Sequence, residues 1–189
     1  MNNNYLNIMK CPNCSSSRLN MNTISYGCLS CKNSYPIKDN IPRFVSDSYH
    51  SNFGYQWNKF SKVQLDSFNG ANLSETRLLN QSGMKEEDFF GKRILEIGAG
   101  NGRFTEVLLK YGAKVVAVDY SIAIDANYEN NYSENNDLFA LQADLFNLPF
   151  KEDTFDIVIC YGVIQHTGNN EMALSELCKF PKKDGKLLV

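Results

Sequence analysis

The chain has 189 residues, of which 43% are hydrophobic, and it carries 19 basic against 21 acidic side chains. This length can bury one full core plus a small appendage, and the net charge of −2 lacks the positive excess of a nucleic-acid-binding protein, although a local basic patch stays open. No apolar stretch of signal-peptide length begins the sequence, and no run approaches the roughly 18 apolar residues of a membrane span, so we expect a cytoplasmic protein.

Composition divides the chain into three predicted domains. Residues 1–45 hold four clustered cysteines in turn-rich, polar surroundings. Residues 46–90 form an aromatic-rich, largely helical connector or lid, with a helix predicted around 75–81. From residue 91 to 189, strand patterns alternate with helical patterns, which is typical of βαβ units and a parallel sheet.

Four cysteines form two Cys-x-x-Cys pairs, Cys11 with Cys14 and Cys28 with Cys31. Two such turns at this separation can bring four thiolates into the tetrahedron that zinc prefers. A rubredoxin-like iron site is the alternative, whereas disulfides are not expected in a reducing cytosol. Because cysteine fills all four positions, we predict a structural Zn²⁺, since a part of this size cannot fold on a hydrophobic core alone.

Five strands are predicted in the third part, and their bounds are 93–97, 114–118, 138–142, 155–160 and 186–189. Apolar residues at helical spacing between the first two strands predict an amphipathic helix that Gly112 ends. Leu174, Leu177 and Cys178 predict the apolar face of another helix, which Pro181 closes. The asparagine-rich stretch 129–136 is interpreted as polar helix surface and loop. The fold class is therefore α/β with a parallel sheet.

Three glycines at alternate positions, Gly98, Gly100 and Gly102, directly follow the first of these strands. Without Cβ atoms, the backbone here can lie against a ligand. A dinucleotide fingerprint needs its third glycine where Arg103 stands, so an NAD-dependent oxidoreductase is the least favoured reading. Glu96 would be awkward beside a diphosphate, but it suits a ligand with an ammonium and a sulfonium.

Two further acids follow strand ends, Asp119 after the second strand and Asp144 after the third. A carboxylate at the second strand end can accept hydrogen bonds from both hydroxyls of a ribose. Many nucleotide-binding sites use this device, so Asp119 alone does not discriminate between ligands. The alternative interpretation is that both acids only cap helices or loops.

The E-x-G-x-G-x-G spacing with these acids resembles the first motifs of class I methyltransferases, which bind S-adenosylmethionine (SAM). Residues 91–189 are similar to a bacterial group of these enzymes that modifies quinones, glycans and natural products. The resemblance implies a Rossmann-like parallel sheet in strand order 3-2-1-4-5 and SAM as cofactor. The residues that it places around SAM are Glu96, Gly98, Ala99, Gly100, Gly102, Asp119, Tyr120, Asp144, Leu145, Cys160 and Tyr161.

The resemblance also implies roles for these residues. Glu96 and the glycines would cradle the methionine half of SAM, and Asp119 would hold the ribose. Asp144 and Leu145 would flank the adenine, and the backbone near residues 160–161 would face the ammonium.

The family's sheet normally has seven strands in the order 3-2-1-4-5-7-6, and this sequence ends inside the fifth. We therefore expect the fifth strand to be an exposed edge, open to self-association or to a partner. On this interpretation the chain is C-terminally truncated, a fragment or one part of a split enzyme.

The stretch "YPIKDNIPRF" after the cysteines resembles the closing strands of small zinc ribbons. Such ribbons accompany some tRNA and protein methyltransferases, certain rRNA guanine methyltransferases and many bacterial methyltransferases of unassigned substrate. Five basic residues of this part keep a contact with RNA open: Lys10, Arg18, Lys32, Lys38 and Arg43.

His166 follows the fourth strand, where an acceptor would approach, and it is the catalytic candidate as a general base. The alternative, which we favour, is a histidine that only shapes the pocket. Tyr161 and Gln165 are candidate contacts to the acceptor. Trp57 and its aromatic neighbours could cover the cofactor, although packing between domains is favoured. Cys160 and Cys178 are predicted to be small buried hydrophobes, and Arg103 is interpreted as part of a solvated loop.

Three functions remain open on the sequence. The leading one is SAM-dependent methylation of a small molecule or of a glycan- or lipid-linked acceptor. The second is an RNA methyltransferase that uses the ribbon to hold RNA, whose binding would weaken steeply with salt. The third is a catalytically silent module that binds SAM or only a partner.

Overall fold

The computed structural model describes residues 3–45 and 62–189 of the chain. Two sheets occur in these residues, one antiparallel with four strands and one parallel with five. The predicted lid residue Trp57 and most of its aromatic neighbours lie outside the described residues.

Residues 3–45, here called the N-terminal module, contain a 3-10 helix and four short strands. Their bounds are Asn3–Ile8 for the helix, and Leu19–Met21 (β1), Ser25–Cys28 (β2), Ser34–Lys38 (β3) and Ile41–Pro42 (β4) for the strands. Asp39 and Asn40 join β3 to β4 with φ values of 52° and 65°, a left-handed pair typical of a tight hairpin turn. The closing strands expected after the cysteines are therefore confirmed.

Two helices, Asp66–Asn69 (α1) and Leu73–Ser82 (α2), precede the parallel sheet. The carboxylate of Asp66 accepts hydrogen bonds from the backbone N–H groups of Ser74 (3.0 Å) and Glu75 (2.9 Å), which are free donors at the start of α2. The helix predicted around 75–81 is thus confirmed.

The parallel sheet has the strand order β7-β6-β5-β8-β9, which is the predicted order 3-2-1-4-5. Its strands are Arg93–Ile97 (β5), Lys114–Asp119 (β6), Leu138–Gln142 (β7), Phe155–Ile159 (β8) and Pro181–Leu188 (β9), and its helices are Arg103–Lys110 (α3), Ala123–Asn131 (α4) and Asn170–Leu177 (α5). Four strands agree with the predicted bounds to within one residue. The fifth begins earlier than predicted, because Pro181 pairs with Phe155, and a register shift between Phe155 and Ile157 separates this pair from that of Lys186 with Ile157.

Alternating residues of the central strands face two separate layers. Ile94 and Val115 pack against α2, α3 and α4 on one face. Leu95 and Val116 pack on the other face, where the same cluster includes α5 and the N-terminal module. The module therefore has no core of its own and shares that of the parallel sheet.

The buried face of α5 differs from the prediction. Ala173 and Leu177 are fully buried, whereas Leu174 is 41% exposed and Cys178 is exposed. The pairs 173/177 and 174/178 both have helical i, i+4 spacing, and the helix turns the first pair toward the sheet. The prediction that Cys178 is buried was wrong. Cys160, by contrast, is 1% exposed as predicted.

No helix in residues 3–45 and 62–189 has the length and apolar character that crossing a membrane requires.

Candidate functional site

The carboxyl ends of β5, β6, β7 and β8 meet at one edge of the parallel sheet, where α/β folds hold their ligands. The predicted cofactor residues lie on the loops that leave these four strands. We call this the donor edge, and it comprises residues 96–102, 119–122, 142–147 and 160–166.

The glycine loop of the donor edge depends on a close approach at one position and leaves open space at another. Gly98 has a φ of 69°, and a Cβ there would lie 2.1 Å from Cγ2 of Val163. Gly100 has a φ of 53°, and a Cβ there would meet nothing within 4 Å. Gly98 thus serves packing, whereas Gly100 faces space that a ligand could occupy.

Asp119 holds the glycine loop from the end of β6. Its carboxylate accepts hydrogen bonds from the backbone N–H of Gly100 (2.8 Å), the backbone N–H of Ser121 (2.8 Å) and the hydroxyl of Ser121 (2.7 Å). Burial raises the pKa of Asp119, and these donors act in the opposite direction by stabilising the anion. A carboxylate is therefore positioned beside the open face of Gly100.

Asp144 and Leu145 lie on the neighbouring loop. Asp144 begins the 3-10 helix Leu145–Asn147, and its carboxylate accepts a hydrogen bond from the N–H of Phe146 at 3.0 Å. Leu145 is buried. The capping role is thus present in the structure, and the contact with adenine stays a prediction.

Glu96 is 3% exposed, and its carboxyl accepts a hydrogen bond from the hydroxyl of Thr105 on α3 at 2.6 Å. The pKa of Glu96 is raised to about 8, mainly because the side chain is buried; the hydrogen bonds from Thr105 lower this pKa, and the nearby Asp119 raises it. The side chain is therefore largely protonated at neutral pH. Its predicted contact with the methionine half of a cofactor stays a prediction.

Asparagines of α4 extend this buried network to the glycine loop. The Nδ2 group of Asn127 donates to the Thr105 hydroxyl at 2.9 Å. Asn131 donates to Oδ1 of Asn127 at 3.1 Å and to the carbonyl of Gly102 at 3.2 Å. Asn130 donates to the carbonyl of Asn101 at 3.0 Å. Sequence analysis assigned residues 130 and 131 to polar surface, and nothing in their spacing indicated this role.

The raised pKa of Glu96 predicts a specific pH dependence of stability. Because the folded state holds the proton more tightly than the unfolded chain, this group favours folding fully below pH 4.5, and that contribution is lost as the pH rises through about 8. Glu96→Gln keeps an acceptor for Thr105 and does not titrate. We expect its free energy of unfolding, relative to the wild type, to rise by up to about 1.4 kcal/mol per pH unit across this window.

Urea denaturation between pH 5 and 8.5 measures this difference. Glu134→Gln, at an exposed position after α4, is the matched control and should follow the wild type at every pH. Parallel curves for Glu96→Gln and the wild type would contradict the assignment of the raised pKa.

Two polar groups beside the glycine loop are buried without a hydrogen-bond partner among the described residues, Nε of Arg103 and the hydroxyl of Tyr161. Both lie against Phe104, whose ring centre is 4.8 Å from Cζ of Arg103 and 5.4 Å from the ring centre of Tyr161. Unsatisfied buried donors are costly, so these two groups are candidate contacts for a polar ligand. Sequence analysis had interpreted Arg103 as part of a solvated loop.

Most of the remaining predicted residues follow β8, whereas Ala99 follows β5 and Tyr120 follows β6. His166 ends the 3-10 helix Ile164–His166 and is exposed, as is Gln165. Tyr161 is half-buried, and Tyr120 on the opposite side of the glycine loop is 40% exposed. Ala99 and Cys160 are buried, so only the backbone of Cys160 is available at the edge.

A second site lies in the N-terminal module. The sulfur atoms of Cys11, Cys14, Cys28 and Cys31 lie within 4.8 Å of one another, and two of the sulfur pairs are 3.6 Å apart. A tetrahedral zinc with Zn–S bonds of about 2.3 Å requires sulfur pairs about 3.8 Å apart. The hydroxyl of Tyr35 lies 3.1 Å from the sulfur of Cys11, where it can orient this ligand. The four residues therefore fit a closed metal centre.

A parallel sheet in this order, with a glycine loop and acids at its carboxyl edge, is typical of the class I SAM-dependent methyltransferases. The chain belongs to the family described as "Methyltransferase domain", whose model matches residues 95–189. That match covers the donor edge and the strands that carry it.

Two curated relatives of the chain are named as methyltransferases. The chain is 34% identical over 100 residues to a demethylmenaquinone methyltransferase of Corynebacterium urealyticum, covering 52% of this chain and 41% of that protein. It is 28% identical over 137 residues to a ubiquinone biosynthesis O-methyltransferase of Coxiella burnetii, covering 68% of this chain and 58% of that protein. The chain thus spans about half the length of the curated relatives it matches.

Among solved structures, the PH0226 protein of Pyrococcus horikoshii aligns with a TM-score of 0.57 and 26% identity, over 70% of this chain and 63% of that protein. A methyltransferase of Methanococcus maripaludis, described as SAM-dependent, aligns with a TM-score of 0.53 and 20% identity, over 76% of this chain and 66% of that protein. The second likeness is one of fold alone.

Proposed function

We propose that the chain binds SAM at the donor edge and transfers its methyl group to a small-molecule acceptor. The observation that carries the proposal is the Asp119 carboxylate bonded to the N–H of Gly100, whose Cα faces open space. The carboxylate would accept hydrogen bonds from the ribose hydroxyls, and the open glycine leaves room for the nucleoside.

Other residues of the edge fit the remaining parts of SAM. The buried donors of Arg103 and Tyr161 suit the carboxylate of the methionine half, and Asp144 with Leu145 would flank the adenine. When bound, SAM supplies an activated methyl group, and the protein's part is to align the donor with the acceptor.

The proposed class of acceptor is inferred from the curated relatives. The names of both curated relatives refer to quinones, which favours a small, largely apolar acceptor for this chain. Glycan- and lipid-linked acceptors belong to the same proposal. RNA is not favoured as the acceptor, because the chain has a net charge of −2.

Titration calorimetry of the metal-loaded chain with SAM, and separately with NAD, tests this function. We expect saturable binding of SAM and no heat from NAD. Binding of NAD, or of neither ligand, would overturn the proposal. Binding of SAM without turnover against a panel of quinols, glycans and lipid-linked acceptors would favour the silent binding module instead.

We favour a pocket-shaping role for His166, which is exposed on the loop that follows β8, and the alternative is a general base that removes a proton from the acceptor. As a general base, its replacement in His166→Ala should lower kcat by about a hundredfold or more, with an unchanged dissociation constant for SAM. Asn170→Ala, at an exposed position at the start of α5, is the control for loss of side-chain bulk. Equal turnover of His166→Ala and the wild type would leave the residue with a shaping role only.

For the four-cysteine centre we propose a structural Zn²⁺, because cysteine occupies all four ligand positions and leaves none open. Elemental analysis of the purified chain should give one zinc per chain. A red protein with the absorption of ferric thiolate would instead identify an iron site.

A further inference from the structure

The N-terminal module forms backbone hydrogen bonds with two segments beside the donor edge. The N–H of Lys10 donates to the carbonyl of Pro149 at 3.1 Å, and the N–H of Lys151 donates to the carbonyl of Ile8 at 2.9 Å. At the other end of the module, the N–H of Phe44 donates to the carbonyl of Gln142, the last residue of β7, at 2.7 Å. The module is therefore in direct contact with the strand end from which Asp144 follows.

One side chain of the module, that of Arg43, contacts a residue of the donor edge. Arg43 is 7% exposed, and its guanidinium forms an ion pair with Asp125 in the first turn of α4. The same guanidinium lies 3.4 Å from Oε1 of Gln142, whose Nε2 donates to the carbonyl of Tyr120 at 2.9 Å. Arg43 thus reaches both ends of the segment 120–125, directly at Asp125 and through Gln142 at Tyr120.

This segment directly follows Asp119, whose carboxylate holds Gly100. A displacement of Tyr120 would move that carboxylate relative to the glycine loop. Loss of the buried cation would leave Oε1 of the buried Gln142 without this donor and the partly exposed Asp125 without its counter-charge, so Arg43 restrains both residues.

The buried state of Arg43 also removes it from the basic residues available to a polyanion. Arg18, Lys32 and Lys38 are exposed on the same module, whereas Arg43 faces the parallel sheet. The contacts of Arg43 indicate that it acts on other residues of the protein and not on a polyanion.

We propose that Arg43 is a positioning residue of the donor site, through which the N-terminal module sets the segment 119–125 and thereby the affinity for SAM. The inference rests on the proposed function. It assigns the module a part in binding the methyl donor that its four cysteines alone do not indicate.

The test compares Arg43→Met with Arg18→Met in the full, metal-loaded chain. Met preserves the length of the arginine stem and removes the charge at a buried position in one variant and at an exposed position in the other. We expect Arg43→Met to weaken SAM binding about tenfold, within the usual range of coupling between sites, with an unchanged metal content. Arg18→Met should bind like the wild type.

Hydrogen exchange of the ligand-free proteins gives a second readout. In Arg43→Met, the amides of residues 120–126 should exchange faster, while those of residues 11–31 should not change. Arg43→Lys keeps a charge for Asp125 and should recover part of both effects. Gln142→Met should weaken SAM binding as well, and the double variant should be less impaired than the product of the two single effects.

Three results would overturn the inference. One is SAM affinity of Arg43→Met equal to that of Arg18→Met. Another is faster exchange confined to residues 11–31, which would show a loosened module and nothing more. The third is full independence of Arg43 and Gln142 in the double variant. If the wild type itself binds no SAM, the proposed function fails, and the exchange of residues 120–126 alone supports or overturns the positioning.

Discussion

Replacing Cys28 with Ser, or extracting the metal with a chelator, is expected to unfold the parallel sheet together with the N-terminal module. Tyr26 and Phe44 of the module belong to the same buried cluster as Leu95 and Val116 of the sheet. Zinc bound by four cysteines contributes about 10–16 kcal/mol in small zinc domains, which equals or exceeds the whole stability of a typical domain. Loss of the proposed zinc would therefore remove one wall of the common core.

Circular dichroism during heating, with the zinc content of each sample, measures this effect. Cys178→Ser is the matched control, because Cys178 is exposed and far in sequence from the cluster, and it should melt like the wild type. A Cys28→Ser protein whose helical signal melts at the wild-type temperature would show that the sheet folds independently of the module.

Asp119→Asn is expected to weaken SAM binding by roughly a hundredfold to ten-thousandfold, which corresponds to the loss of two charged hydrogen bonds of about 1.5–3 kcal/mol each. The amide also disturbs the loop before any ligand binds. The carboxylate accepts bonds through both of its oxygens, from Gly100 on one side and Ser121 on the other. An amide offers one oxygen, so its NH₂ group must face one of these donors.

Calorimetry with SAM and with S-adenosylhomocysteine measures the effect on both nucleosides, which share the ribose. Asp153→Asn provides the same chemical change in an exposed turn, where asparagine tolerates the left-handed backbone with its φ of 51°. A folded Asp119→Asn protein that binds SAM within a few-fold of the wild type would remove Asp119 from the donor site.

The parallel sheet could be predicted from the sequence because its buried strands are continuous apolar runs separated by helical spacing. The strand bounds 93–97 and 138–142 agree with the structure to the residue. The position of Asp119 beside the glycine loop follows in turn, since parallel strands end at a common edge. The local sequence pattern was therefore sufficient to predict the strands and helices, and to predict which loops lie together at that edge.

The contacts that support the site could not be predicted, because they join residues far apart in sequence through single polar groups. Arg43 and Gln142 are 99 residues apart, and Arg43 and Asp125 are 82 apart. In the sequence, Asn127 and Asn131 resemble ordinary polar helix residues. The spacing of residues along a helix shows which of them share a face, but it does not show which residues pack against that face. The same limit explains why Arg103 was interpreted as solvated and Cys178 as buried.

The pairing of residues 7–8 with residue 151 also determines when these two segments can fold. The four cysteines lie within residues 11–31, so the metal centre can close early in synthesis. The backbone at Asn7 and Ile8 meets Lys151, and the side-chain bond from Lys151 to Asn7 spans 144 residues. At about 5–20 residues per second, the ribosome needs roughly 7–30 s to make that intervening chain. During this time, an apolar surface of the nascent protein is exposed to chaperones, because the residues that bury Tyr5, Ile8 and Met9 have not all been made.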